Sequence, residues 1–145
     1  LPENKQVRDA MKKIHIMMLV ACLISPLGWA DDKQEAAEKA AAQWLSLLDQ
    51  KEYAQTWQDA SVIIRQQVKV NDWVQSFSQL HQQFGRMQSR RLQSAHYTSD
   101  LPDAPAGEYV VLQYHTVYEK KGPAIETVTP TFEKGQWRVS GYYIK

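Results

Sequence analysis

The sequence predicts an α+β domain: three N-terminal helices packed on one face of a curved four-stranded antiparallel sheet. Residues 32–85 are rich in Ala, Gln, Leu and Trp, and their apolar residues recur every three or four positions, which is the helical period. Residues 86–145 carry Val-, Thr- and Tyr-rich runs broken by turn residues, with every proline that follows residue 31. Such runs read as strands. Helices first and strands afterwards, without alternation, mark an α+β chain and not a series of βαβ units.

The chain opens with a targeting pattern. Met11-Lys12-Lys13 is a short cationic start, Ile14 to Trp29 is an apolar run, and Gly28-Trp29-Ala30 precedes Asp31-Asp32. Cationic start, apolar run and small residues at the cleavage site make a secretory signal peptide over residues 11–30. The run is shorter than the ~20 residues of a membrane-spanning helix, and Pro26 interrupts it. Residues 1–10 precede the initiator-like Met11 and read as upstream or appended sequence. Leu19-Val20-Ala21-Cys22 also satisfies a minimal lipobox, so a lipoprotein anchored through Cys22 stands as an alternative to cleavage near Ala30. More apolar sequence follows Cys22, where a lipoprotein usually turns polar. Removing residues 1–30 takes away four basic and two acidic residues and leaves one domain, 31–145, of net charge −1 and without cysteine. A periplasmic or secreted location suits such a chain. The near-neutral charge excludes a nucleic-acid partner of the usual basic kind, and no membrane span is expected in the mature chain.

Helix one is expected over 33–49, with Ala37, Ala41, Trp44, Leu45 and Leu48 on one stripe. Helix two follows over 52–68, through Tyr53, Trp57, Ala60 and Ile64. Helix three runs over 71–84, with Asn71 as N-cap, Trp73, Phe77, Leu80 and Phe84 as its stripe, and Gly85 as C-cap. The helix tryptophans read as core, and the many helical glutamines, Gln43 among them, as neutral solvent faces. Strands follow at 87–98, 108–118, 124–132 and 136–144, the last two joined by a tight Lys134-Gly135 turn. That turn pairs Phe132 with Trp137 and Pro130 with Val139. A four-residue turn, Glu119 to Gly122, sets Tyr118 opposite Ala124 and Tyr114 opposite Val128. One face then carries Val110, Leu112, Tyr114, Tyr118, Val128, Phe132, Trp137 and Val139, and should receive the helices.

The order of motifs carries a family resemblance. Ala41-Ala-Gln-Trp-Leu45 is followed by Ser89-Arg-Arg-Leu92, Ala95-His-Tyr-Thr98 and Leu101-Pro102. Gly107-Glu-Tyr-Val-Val-Leu-Gln-Tyr114 and Glu126-Thr-Val-Thr-Pro130 come next, and Gly135-Gln-Trp-Arg-Val-Ser-Gly-Tyr-Tyr-Ile144 closes the series. This resembles the secreted bacterial domain of unknown function family 4019. The resemblance implies an exported, single-domain bacterial protein and brings no activity and no catalytic residues. The order of elements is also similar, by analogy alone, to cystatin-like and nuclear-transport-factor-like folds.

Chemistry is sparse. His81, His96 and His115 share no ligand spacing, so no metal site is expected. No cysteine, no nucleophile elbow and no Gly-rich phosphate loop follows the leader, and no cofactor is expected. The registers above place Thr116, Glu126 and Tyr143 side by side on the helix-facing side. These are weak catalytic candidates, because a carboxylate between a phenol and a hydroxyl is a raised-pKa acid or base when buried. The expectation is instead a solvated Glu126 at the open end of the sheet. Arg86, Arg90 and Arg91, with Arg138 nearby across the sheet, read as a solvated strand edge that discourages edge pairing. The functional expectation is an uncharacterised exported protein, most simply a non-catalytic module binding a protein, a peptide or an envelope component. The alternative is a small-molecule binder or small enzyme with its pocket between helices and sheet.

Overall fold

The computed structural model describes residues 27–145; the expectations for residues 1–26, Cys22 included, lie outside them. Four helices precede four strands: α1 (Leu27–Asp49), α2 (Tyr53–Asp59), α3 (Val62–Gln67) and α4 (Val70–Phe84), then β1 (Met87–Thr98), β2 (Tyr109–Tyr118), β3 (Gly122–Glu133) and β4 (Gln136–Ile144). The strands form one antiparallel sheet in the order β1-β2-β3-β4. α1 lies across all four strands. Its stripe Ala37, Ala41, Trp44, Leu45 and Leu48 is buried against Val110, Leu112, Tyr114, Val128 and Val139. The α+β class and the helix-covered face are those the residue pattern predicts. No helix among the described residues is long and apolar enough to cross a membrane.

Helix two is divided. Ala60 and Ser61 are extended, with ψ of 161° and 152°. The Ser61 N–H donates to the Val139 carbonyl of β4 at 2.8 Å, and its hydroxyl caps α3 by accepting from the Ile63 N–H. A serine offers a turn both a cap and a free backbone donor, and here the sheet edge takes that donor. α4 likewise starts earlier than expected, capped at Lys69 and not at Asn71, with no side-chain cap. Gly85 does end it, in the left-handed region at φ 75°.

Trp44 and Trp73 are core and Trp57 packs against it, while Trp29, near the start of α1, is exposed. Trp44 donates its indole N–H to the Thr56 carbonyl at 2.9 Å, Trp73 to the Thr56 hydroxyl at 3.0 Å and Trp57 to the Val68 carbonyl at 2.8 Å. Trp44 and Trp73 are buried. Their rings meet edge to face with each other and with Phe77, the arrangement ring quadrupoles favour.

Two strand expectations are corrected. The β2–β3 turn is shorter than expected: Tyr118 pairs with Gly122, and Tyr114 with Glu126 in place of Val128. Gly122 takes φ 79° to close it. The shift is by two residues, and strand side chains alternate with period two, so the inward face survives apart from its Phe132 end. Phe132 does pair with Trp137, yet it is 43 % exposed. It sits one residue from the end of its strand, and Trp137 opposite it is only half-buried.

Candidate functional site

β4 carries a one-residue bulge. Thr129 pairs with Gly141 and Pro130 with Val139, leaving Ser140 as the extra residue. Pro130 has no N–H to give the ladder, and Ser140 instead donates its hydroxyl to the Thr129 carbonyl at 2.8 Å. Past a bulge the alternation of side chains is inverted. Tyr142 therefore points to the helices in the place expected for Tyr143, and Tyr143 is 63 % exposed.

Of the expected trio, Thr116 and Glu126 meet and Tyr143 does not join them. Glu126 is fully buried, which corrects the expectation of a solvated carboxylate. Tyr142 and Tyr118 donate their hydroxyls to Glu126 Oε1 at 2.6 and 2.7 Å, and Thr116 donates to Oε2. Arg90 completes the set, with Nε on Oε2 at 2.6 Å and Nη2 on Oε1 at 3.1 Å. The same guanidinium grips Asp49, the last residue of α1, through Nη1 at 2.7 Å and Nη2 at 3.0 Å. Arg90 thus ties the C-terminal end of α1 to the middle of the sheet. A planar fork with five donors suits this two-carboxylate geometry as a lysine would not.

Arg90 was expected on a solvated edge. Only Arg86 and Arg91 of that cluster are exposed. Arg138 lies on β4, at the opposite edge of the sheet from β1. The inward turn of Arg90 follows from strand parity: it pairs with Thr116, which is fully buried on the helix face. Two irregularities in β1, at Gln88 and Gln93, break the alternation and hide this from the residue pattern. Asp49, Arg90, Tyr118 and Tyr142 are the members that sequence reasoning missed.

The electrostatics follow from the contacts. Burial pushes the Glu126 carboxyl up, but the hydrogen bonds and charge of Arg90, with those from Thr116 and Tyr142, outweigh it and hold its pKa below the ordinary value. Burial and the Glu126 charge push the Tyr142 and Tyr118 phenols up, so both stay protonated donors. A carboxylate has about four lone-pair sites, and Glu126 accepts five hydrogen bonds. It has no capacity left for a substrate proton or a ligand.

A second cluster lies near Asp49. The Tyr53 hydroxyl and His81 Nδ1 are 2.7 Å apart with the rings stacked, beside a cleft of about 400 Å³ that Lys51, Arg86, Glu119 and Lys120 also line. Burial lowers the His81 pKa and raises that of Tyr53. Lys120 is occupied by the Gln82 carbonyl, and Arg86 by Glu119. His96 pairs with Val111 and His115 with Arg91, four positions apart along β2. Among the described residues no group of three His, Cys, Asp or Glu side chains is placed to hold a metal ion.

The family model described as "Protein of unknown function (DUF4019)" matches residues 40–142. The chain belongs to the DUF4019 family. The matched span contains every member of the Glu126 network, from Asp49 through Tyr142, so the network lies wholly within the DUF4019 domain. Comparison with curated proteins and with solved structures returned no match.

Proposed function

We propose that this DUF4019 protein is a non-catalytic binding module of the bacterial cell envelope, exported by the leader at residues 11–30 and cut near Ala30. The observation that carries the reading is the state of Glu126. The one carboxylate the residue pattern nominates for chemistry is ion-paired, saturated with donors and held at a lowered pKa. A general acid or base needs a pKa near the working pH and an open lone pair toward its substrate. Glu126 has neither, and serves instead to pin α1 to the sheet. The space between helices and sheet is filled by Trp44, Trp73, Phe77, Tyr114 and Tyr142, which leaves recognition to the surface.

Export is supported by where burial begins. Gly28, Trp29, Asp31 and Asp32 are exposed. Among the described residues the first long-range side-chain hydrogen bond of α1 is Lys33 to Glu108 at 2.8 Å, and the first fully buried residue is Ala37. Cleavage after Ala30 would therefore cost the core nothing. Mass spectrometry of the chain expressed in a bacterial host tests this. An Asp31 N-terminus in the periplasmic fraction is expected, a diacylated Cys22 would make it a tethered lipoprotein, and an uncut cytosolic chain would refute export.

A further inference from the structure

Trp137 differs from Trp44, Trp57 and Trp73. Those spend their indole N–H groups inside the protein. Trp137 is half-buried, and among the described residues its N–H has no acceptor and is not sealed from water. It lines an open cleft of about 230 Å³ between α1 and β4, with Leu47 beside it and Gln43, Asp59, Gln136 and Arg138 as the polar rim. The residue pattern assigns Trp137 to the core, and a place where that logic fails is where function is expected.

The rim is arranged in advance. Arg138 donates through Nη2 to Gln136 Oε1 at 2.9 Å and through Nη1 to the Asp59 carbonyl at 3.3 Å. Gln136 thus has its oxygen occupied and its NH₂ left to donate. Asp59 accepts from Gln55 on Oδ1 at 3.0 Å, leaving Oδ2 as an acceptor. The Gln43 amide is exposed and unengaged among the described residues. Asp59 and Arg138 are the charged side chains of the lining, and Arg138 is ion-paired to Glu133 through Nε at 3.8 Å, so no cluster of one sign is present there among the described residues to favour an ionic ligand. What it offers is an aromatic and aliphatic wall beside a rim of donors and acceptors, of which Gln136, Arg138 and Asp59 are held by hydrogen bonds.

The geometry points to a subsite for a neutral, hydroxyl-rich ring, one pyranose unit of a saccharide. A pyranose has an apolar face of C–H bonds and a rim of hydroxyls, each both donor and acceptor. The wall and the rim match those two features. Clefts for drug-sized ligands run from about 300 to 1,000 Å³, so this one holds a single ring and leaves the rest of a chain in solvent. The inference rests on the binding-module reading and names its ligand class.

The test is an NMR titration of the full ¹⁵N-labelled chain with glucose, cellobiose and N-acetylglucosamine, and separately with inorganic phosphate. At least one sugar should shift the Trp137 indole N–H and the Gln43 and Gln136 side-chain amides saturably, with a dissociation constant of about 1 mM. The indoles of Trp44, Trp57 and Trp73 should stay in place. Gln43→Ala, an exposed substitution that helix α1 tolerates, should weaken binding about tenfold, the effect of one lost hydrogen bond. No saturable shift at about twenty times that concentration overturns the subsite, as does an equal response to phosphate or unchanged affinity in Gln43→Ala. A silent sugar titration overturns the subsite alone. The binding-module reading falls separately, on a Glu126 titration midpoint raised toward neutrality.

Discussion

Arg90→Met isolates the charge network. Arg90 is almost enclosed and makes four charge-assisted hydrogen bonds, two to Glu126 and two to Asp49. The methionine fills the volume of the stem but leaves Glu126 fully buried without a cation. Removing one partner of a buried pair costs about 3–5 kcal/mol, a large share of the ~5–15 kcal/mol that stabilises a domain of this size. The pH dependence carries more information than the magnitude. In the wild type the folded pKa of Glu126 lies below its unfolded value of about 4.3. Its stabilisation is therefore complete above that value and is lost as pH falls through the folded pKa. In the variant, burial with no cation raises the folded pKa above the unfolded one, so protonation favours the folded state as pH falls. The gap between the two proteins should be widest at neutral pH and should close by more than about half near pH 4. Urea unfolding followed by tryptophan fluorescence, at several pH values, reads this directly. A gap under about 1 kcal/mol at neutral pH, or one that is constant with pH, would refute the assignment of Glu126 as a buried, Arg90-held anion. Asp49→Asn is the milder control if Arg90→Met does not fold. Asp49 keeps some exposure, so a loss of about 1 kcal/mol is expected, the upper range for pairs open to solvent.

The two adjacent tyrosines give a sharp contrast. Tyr142→Phe should lose about 1.5–3 kcal/mol, the worth of a hydrogen bond to a charged group, while Tyr143→Phe should stay within about 0.5 kcal/mol of wild type; equal losses in thermal or urea unfolding would say that the bulge at Ser140 is not present. Trp137→Ala should cost about 1–2 kcal/mol, well below the ~3–5 kcal/mol of a fully buried tryptophan, and a loss at the higher figure in urea unfolding would return Trp137 to the core. Gly85→Ala should cost at least ~1–3 kcal/mol, because φ 75° with ψ −167° is a conformation essentially only glycine adopts and the added Cβ would stand 3.0 Å from the Glu119 Cβ and crowd the β2–β3 turn; a neutral result in thermal unfolding would mean that α4 ends differently.

Much of this protein was legible in the residues alone. Apolar spacing located the helices, placed Ala37, Ala41, Trp44 and Leu48 inward, and separated a helical half from a strand half. Alternation chose the inward face of β2 and β3, and it did so despite a two-residue error in register, because period two is blind to a shift of two. Thr116 and Glu126 were brought to one row for the same reason. Tertiary structure alone decided the rest. The bulge at Ser140 exchanged Tyr143 for Tyr142, and nothing local to that segment announces where a ladder meeting a proline will add its extra residue. The irregularities of β1 turned Arg90 inward, and only the folded chain brings it against Asp49, 41 positions away, and Glu126, 36 positions away. Whether a carboxylate acts as acid, base or anchor depends on burial and on the cation beside it. Both are set by contacts between distant segments, so the role of Glu126 could not be read until those segments met.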